Sequence, residues 1–397
     1  MATATNLTKP RLSEGMGRLG TESAFEVLVR ARELEAAGRE IIHLEIGEPD
    51  FPTAPHIVEA AAEALRAGWT HYGPSAGLPE LRAAVAEDAG RRRGIEVDPS
   101  EVVITPGGKP ILFFAILALV DKGDEVIYPN PGFPIYESMI DFVGGHAIPY
   151  GLREQHDFDV DVGEIIGHIT GHTRLVILNS PNNPTGGVMS AEALARLAKV
   201  LVDRDLFILS DEIYSRLIYE GEHASIAHFP GLQERTIILD GFSKTYAMTG
   251  WRLGYGIMRA DLTAKVAQLQ TNATSCTASF TQIAGIAALR GDQSGVDRMR
   301  EEFRRRRQVL VEGLNRIPGF HCRQPRGGFC VFPNITRTGL RSKPLADALL
   351  NEAGVAALSG TAFGAGGEGY LRFSFANSLE NIEKALVWIE EWAKKNL

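Results

Sequence analysis

Between residues 101 and 241 the sequence repeats one pattern: a short run dense in valine, isoleucine and leucine, a polar or glycine-bearing break, then an amphipathic stretch. The runs are EVVITP (101–106), DEVIYP (124–129), TRLVILNSP (173–181), LFILSD (206–211) and TIILDG (236–241). Several are nearly continuous in apolar residues, as strands buried on both faces of a parallel sheet are. The intervening SAEALARLAKVLVDR carries apolar residues at helical spacing, with Ser190 placed as its N-cap. This alternation predicts an α/β fold with a mostly parallel central sheet flanked by helices. No repeat or low-complexity tract interrupts it.

After about residue 290 the texture changes to a charged helix, short strands in GFHCR, GGFCVFP and GYLRFSF, and a terminal helix from about Ser378. A chain of 397 residues, 44% hydrophobic, is long for one domain. Two are expected: a large one over 53–290, and a smaller α+β one built from 1–52 and 291–397. The first segment contributes the helix ESAFEVLVRARELEAAG.

Several function classes are disfavoured. Lys and Arg number 41 against 49 Asp and Glu, a net charge of −8, which argues against a nucleic-acid partner. The basic run Arg304 to Arg307 reads as a solvated helix face. Three cysteines without a CxxC pair indicate neither a disulfide framework nor a zinc site, and ten histidines form no HExxH-type spacing, so no metal is expected. The start MATATNLTKP has no leader-like apolar stretch, and ILFFAILALV is too short to span a bilayer. A cytoplasmic protein without membrane attachment is expected.

The polar residues fall where chemistry belongs in such a fold. Ligands bind beyond the carboxyl ends of the strands in an open α/β sheet. Here those ends carry Pro-Gly-Gly-Lys, Asn-Ser-Pro-Asn-Asn-Pro-Thr-Gly, Ser-Asp-Glu-Ile-Tyr and Asp-Gly-Phe-Ser-Lys. TPGGKPILFF runs through Gly107 and Gly108 into an apolar helix with Pro110 in its first turn. Free N–H groups at such a start suit a phosphate, although an ordinary strand-to-helix turn would look the same. The pattern is not a nucleotide P-loop, since Val103 and Pro110 stand where glycine and a hydroxyl are required. Lys244, at a strand end among small and hydroxyl residues, has the setting of a desolvated amine competent to form a Schiff base. A phosphate site, an amine and a carboxylate on one rim meet the needs of pyridoxal phosphate, with Asp211 as the partner of its ring nitrogen.

DGFSKTYAMTGWRLGYG (240–256), with NNPTG and SDEIY before it, resembles the class I and II aminotransferases of the pyridoxal-phosphate fold-type I superfamily. The resemblance runs from HLEIGEPDFPTAP to YLRFSFANSLENI. It implies that Lys244 holds pyridoxal 5′-phosphate as a Schiff base and then shuttles the Cα proton, and that Asp211 keeps the ring nitrogen protonated. Tyr214 and Asn183 would hydrogen-bond the ring's 3-oxygen; Pro184, following Asn183, admits a cis peptide. Arg252, Ser243 and the backbone of Gly108 and Lys109 would take the phosphate, and Phe133 would lie over the ring unless it is simply a core residue. Arg372 would grip the substrate α-carboxylate, with Gly47 in a segment closing over it. Its alternative reading is an outward strand residue.

Two positions depart from the common pattern: Gly241 stands where many relatives have a serine phosphate donor, and Phe133 where Trp or Tyr is frequent. The resemblance further implies a homodimer with shared sites, in which Tyr72 of THYGPSAGLPELR reaches the neighbour's phosphate; a surface turn is the plainer reading of that segment. The expected reaction exchanges an amino group between an L-amino acid and a 2-oxo acid, glutamate and 2-oxoglutarate forming one pair. A β-lyase or decarboxylase would use the same first residues. A non-catalytic ligand-binding regulator is disfavoured by the intact Lys244 and Asp211, and no basic DNA-binding extension precedes residue 20. For the second substrate the signals conflict. Lys109 favours an acidic side chain, as in some aspartate-using relatives, whereas Glu22, near Ala24 on the covering helix, would neutralise it. A broad specificity is the expectation, aspartate included but not exclusive.

Overall fold

The structure, a computed structural model, describes residues 11–397. The opening MATATNLTKP lies outside the described residues. Among those described, twelve strands form: β1 (Ile42–His43), β2 (Val102–Thr105), β3 (Glu125–Asn130), β4 (His146–Gly151), β5 (Thr173–Asn179), β6 (Phe207–Asp211), β7 (Thr236–Gly241), β8 (Gly254–Ile257), β9 (Cys330–Val331), β10 (Val355–Ala356), β11 (Leu358–Ser359) and β12 (Leu371–Ser374). The central sheet has the order β2-β8-β7-β6-β5-β3-β4. All neighbours are parallel except β8, which runs against both β2 and β7.

The five apolar runs become β2, β3, β5, β6 and β7, and every residue of β2 and β7 is buried. Two strands escape that reading. The sequence of β4, HAIPYG, contains Pro149, which is tolerated because β4 pairs only with β3 at the sheet edge. In β8, GYGI alternates glycines, normally poor strand formers. They are required by crowding: a Cβ at Gly254 would lie 2.5 Å from Gly107 C and Gly108 N. The anticipated helix after Ser190 spans Ala191–Leu201, and the Ser190 hydroxyl accepts from Ala193 N–H at 3.2 Å.

A second core collects Phe303, Leu310, Phe329, Phe373 and Phe375 beneath the helices Ser294–Leu314 and Leu379–Asn396. Its sheet has the order β11-β12-β9, and β1 pairs in parallel with β10, tying an N-terminal segment to residues over three hundred positions later. GFHCR is not a strand: only His321 makes an isolated bridge, to Asn334. The reading of Arg304 to Arg307 as a solvated face also needs correction. Arg305 is exposed and Arg304 half-buried, but Arg306 and Arg307 are buried. They share a helix face with Phe303 and Leu310, so they turn inward. Arg306 lies 4.7 Å from the Phe51 ring and donates to Asp50 Oδ1 at 2.7 Å, and Arg307 lies 4.6 Å from the Tyr219 ring. A planar guanidinium stacks on aromatic rings and keeps its edge for acceptors, which makes such burial tolerable.

Candidate active site

The carboxyl ends of β5, β6 and β7 open into a cleft of about 600 Å³. Asp211, the last residue of β6, faces it. Tyr136 Oη donates to Asp211 Oδ2 at 2.6 Å and Ile213 N–H to Oδ1 at 3.3 Å. Burial pushes the Asp211 carboxyl up to about 6, and those two donors hold it from rising further. Asn179, at the end of β5, organises the neighbouring turn: its Nδ2 donates to the Asp211 carbonyl at 3.1 Å, while its Oδ1 accepts from Asn183 N–H at 3.0 Å. The Asn183–Pro184 peptide is cis.

Lys244 enters the same cleft from the turn after β7. Its Nζ donates to Gly47 O at 2.6 Å and sits 5.4 Å from the Phe329 ring. With a ring and a carbonyl in place of water, burial lowers the amine from the ordinary lysine value to about 8. The carboxyl and the amine are thus displaced toward neutrality from opposite sides. Tyr214 is buried edge-on to Phe329 at 5.4 Å, and burial pushes its phenol up.

The glycine turn ends in the helix Lys109–Leu119, with Gly108 as its N-cap residue. Gly107 has φ +90°, and a Cβ there would fall 2.2 Å from Arg252 Nη2. The bare turn therefore lets a guanidinium lie against the free end of a helix, two features that both favour an anion. Arg252 itself has φ +54° and donates to Thr249 O at 2.8 Å. Such a backbone costs roughly 1–3 kcal/mol for a non-glycine residue and persists only where surrounding contacts enforce it. Ser243 lines the cleft nearby. A side chain at Gly241 would begin 3.0 Å from Gly254 Cα, a tight approach at which a serine requires the neighbouring strand to give by a few tenths of an ångström.

Arg372, in the centre of the β11-β12-β9 sheet, is 5% exposed, which removes the outward-facing alternative. Its Nη1 donates to Asn183 Oδ1 at 3.4 Å, and its Nη2 to the Glu45 carbonyl. Among the described residues its Nε is buried without a partner. Gly47 passes beside it, its Cβ position 3.7 Å from Nη1. Phe133 lines the cleft edge-on to Tyr136 at 5.7 Å. Lys109 forms an ion pair with Glu22, so the two opposing signals at the cleft mouth meet each other directly. Tyr72 alone among the sequence candidates lies outside the cleft, 89% exposed. Sequence reading missed Tyr136 and Asn179. Tyr136 comes three residues after Phe133, and Asn179 opens the segment Asn-Ser-Pro-Asn-Asn-Pro-Thr-Gly, but neither has a motif signal of its own.

The family model described as aminotransferase class I and II matches residues 39–389. The chain belongs to that family. It is 40% identical over 371 residues to an aspartate aminotransferase of Pyrococcus horikoshii, covering 92% of this chain and 93% of that one. Against aromatic-amino-acid aminotransferase 2 of Thermococcus litoralis it is 40% identical over 359 residues, covering 89% and 92%. The structure of the Thermus thermophilus aspartate aminotransferase with maleate superposes with a TM-score of 0.93 at 37% identity, over 96% of this chain and 100% of that one. This aminotransferase is accordingly a pyridoxal 5′-phosphate-dependent enzyme. The cleft fits that group by its own chemistry: a depressed amine, a buried carboxylate, a cationic turn whose glycine leaves the room a Cβ would fill, and a buried arginine with an orphaned N–H.

Proposed function

We propose that this aminotransferase moves the amino group of an L-amino acid to a 2-oxo acid in a ping-pong exchange, with glutamate and 2-oxoglutarate as one pair. The observation that carries this reading is the meeting of Lys244, Asp211 and Arg372 in one cleft. Pyridoxal 5′-phosphate, when bound, supplies an electron sink for charge developing at the substrate Cα. Lys244 is the group that anchors it and the base that removes the Cα proton and returns it; an amine near pKa 8 is matched to that task at neutral pH. Asp211 holds a proton on the ring nitrogen opposite it. Asn183 and Tyr214 are the donors to the ring oxygen, and Phe133 covers the ring. Gly108 and Lys109 backbone, Ser243 and Arg252 hold the phosphate. Arg372 clamps the α-carboxylate bidentately, exchanging its long contact to Asn183 for a charged partner, with Gly47 beside it.

The Glu22–Lys109 pair supports a broad second substrate. A lysine already paired offers little to an acidic side chain, so aspartate is accepted without being exclusive, beside alanine and larger neutral amino acids. The assembly in this reading is a cytoplasmic homodimer in which Tyr72 completes the neighbour's phosphate site. We assign 53–290 to a large cofactor-binding domain and 1–52 with 291–397 to a small one; the β1–β10 pairing supports joining the two chain ends.

The test is product identification with a panel of amino donors, with and without 2-oxoglutarate. The expected result is turnover only with the acceptor, yielding glutamate and the matching 2-oxo acid, and kcat/KM values within about a hundredfold across aspartate, alanine and larger neutral donors. Steady release of ammonia, pyruvate or carbon dioxide without acceptor would instead assign a lyase or decarboxylase.

A further inference from the structure

Behind the sheet, on the side away from the cleft, a buried charge cluster joins the strand ends that carry Asp211 and Lys244. Arg93 ends the helix Pro79–Arg93, and its side chain is fully buried. Its Nε donates to Glu212 Oε2 at 2.6 Å and its Nη2 to Asp240 Oδ2 at 2.7 Å. Glu212 follows Asp211 directly, and Asp240 is four residues before Lys244. Leu239 and Asp211 line the cleft whereas Asp240 and Glu212, the residues that follow them, do not, so one fork grips the two segments from the side turned away from it. The strand ends are also tied by Glu212 N–H donating to Leu239 O at 2.8 Å.

The other members of the cluster complete this grip. Glu212 Oε1 accepts from Ser210 at 2.8 Å and Ser225 at 2.6 Å, and Oε2 accepts also from His223 at 2.8 Å. Arg92 donates to Asp88 at 2.8 Å and to Asp240 at 3.2 Å, where Tyr255 Oη also donates at 3.1 Å. Against the desolvation that burial imposes, Arg93 holds both Glu212 and Asp240 below the usual carboxylate range. Both carboxylates in turn raise the Asp211 carboxyl, so the charge balance behind the sheet is felt in the cleft.

We propose that Arg93 is a positioning residue for the reaction, fixing Asp211 and Lys244 relative to each other by clamping Glu212 and Asp240, and balancing the charge those carboxylates project into the cleft. The proposal rests on Asp211 and Lys244 acting as assigned above. Its test uses the holoenzyme carrying pyridoxal 5′-phosphate and reads the pH midpoint of the visible cofactor band, kcat, KM for 2-oxoglutarate and Tm. In Arg93→Gln the unbalanced carboxylates stabilise protonated forms nearby, so the midpoint rises by about half a pH unit or more. Loss of the clamp lowers kcat more than about tenfold while KM stays within about threefold. Adding Glu212→Gln to that variant restores the midpoint, because one charge of each sign is then removed, but leaves kcat low. If Arg93→Gln does not fold, Arg93→Lys keeps the charge without the fork, and a wild-type midpoint with kcat down at least about fivefold is expected. A lowered Tm with midpoint and kcat both unchanged would reduce Arg93 to a packing residue and overturn the proposal. Lys244→Ala separates the two ideas: a borohydride-reducible band surviving in that variant sinks the assignment of the site itself, whatever Arg93 does.

Discussion

Lys244 acquires its chemistry from surroundings rather than from identity. A lysine in water titrates near 10.5 and is almost wholly protonated at neutral pH, whereas burial beside Phe329 and the Gly47 carbonyl lowers this one to about 8. The sign follows from desolvation, which disfavours the charged form of an amine. Capture of pyridoxal 5′-phosphate by the apoprotein should therefore accelerate about tenfold per pH unit up to about pH 8 and level off above it, because only the neutral amine attacks the aldehyde. Stopped-flow absorbance across pH 6 to 10 reads this directly, and a rate still climbing at pH 10 would mean the amine is unperturbed. Lys244→Ala should show no borohydride-reducible absorbance at any pH. Asp211 is the complementary case: burial raises it to about 6, yet Tyr136 and Ile213 retain enough stabilisation for it to stay mainly ionised at pH 7.

Among the elements, β8 connects fold to cofactor site in the least obvious way. It is the one antiparallel strand inside the central sheet, and its Gly254 touches the backbone of the Gly107–Gly108 turn. Gly254→Ala would drive a methyl group to 2.5 Å from that backbone, which has no free rotamer with which to retreat. The turn must shift, and with it the helix start and Arg252. Expected are a loss of cofactor affinity of more than about tenfold and a destabilisation of about 1–3 kcal/mol, in the range of over-packed cores. Gly256→Ala is the control in the same strand. Its methyl would meet the movable ends of Ile111 and Met258, so it should lower stability with little change in affinity. Equilibrium dialysis of cofactor and thermal melts on both variants separate the two effects; equal affinity losses would refute a special role for the turn contact.

At the scale of the whole molecule, Val58, Leu65, Trp69 and Tyr72 are exposed along the helix Pro55–Arg66 and the turn after it. In the proposed dimer this stretch meets the second subunit and sends Tyr72 to its phosphate. Sedimentation at assay concentration should show a dimer, and Tyr72→Phe should weaken cofactor binding several-fold without changing the dimer. A fully active monomer would contradict both. The sequence by itself determined the parallel strands, since continuous β-branched runs leave few alternatives, and it placed Lys244, Asp211, Asn183 and the glycine turn on one rim, since strand ends and local turns are properties of contiguous residues. Only the tertiary structure decided β4 and β8, whose proline and glycines become acceptable through an edge position and a crowded neighbour. It alone turned Arg306 and Arg307 inward from the basic run, buried Arg93, and brought Tyr136 to Asp211 across 75 residues. The reason is physical: a side chain's propensity is carried locally, but its solvation and its partner are set by whatever distant chain packs against it.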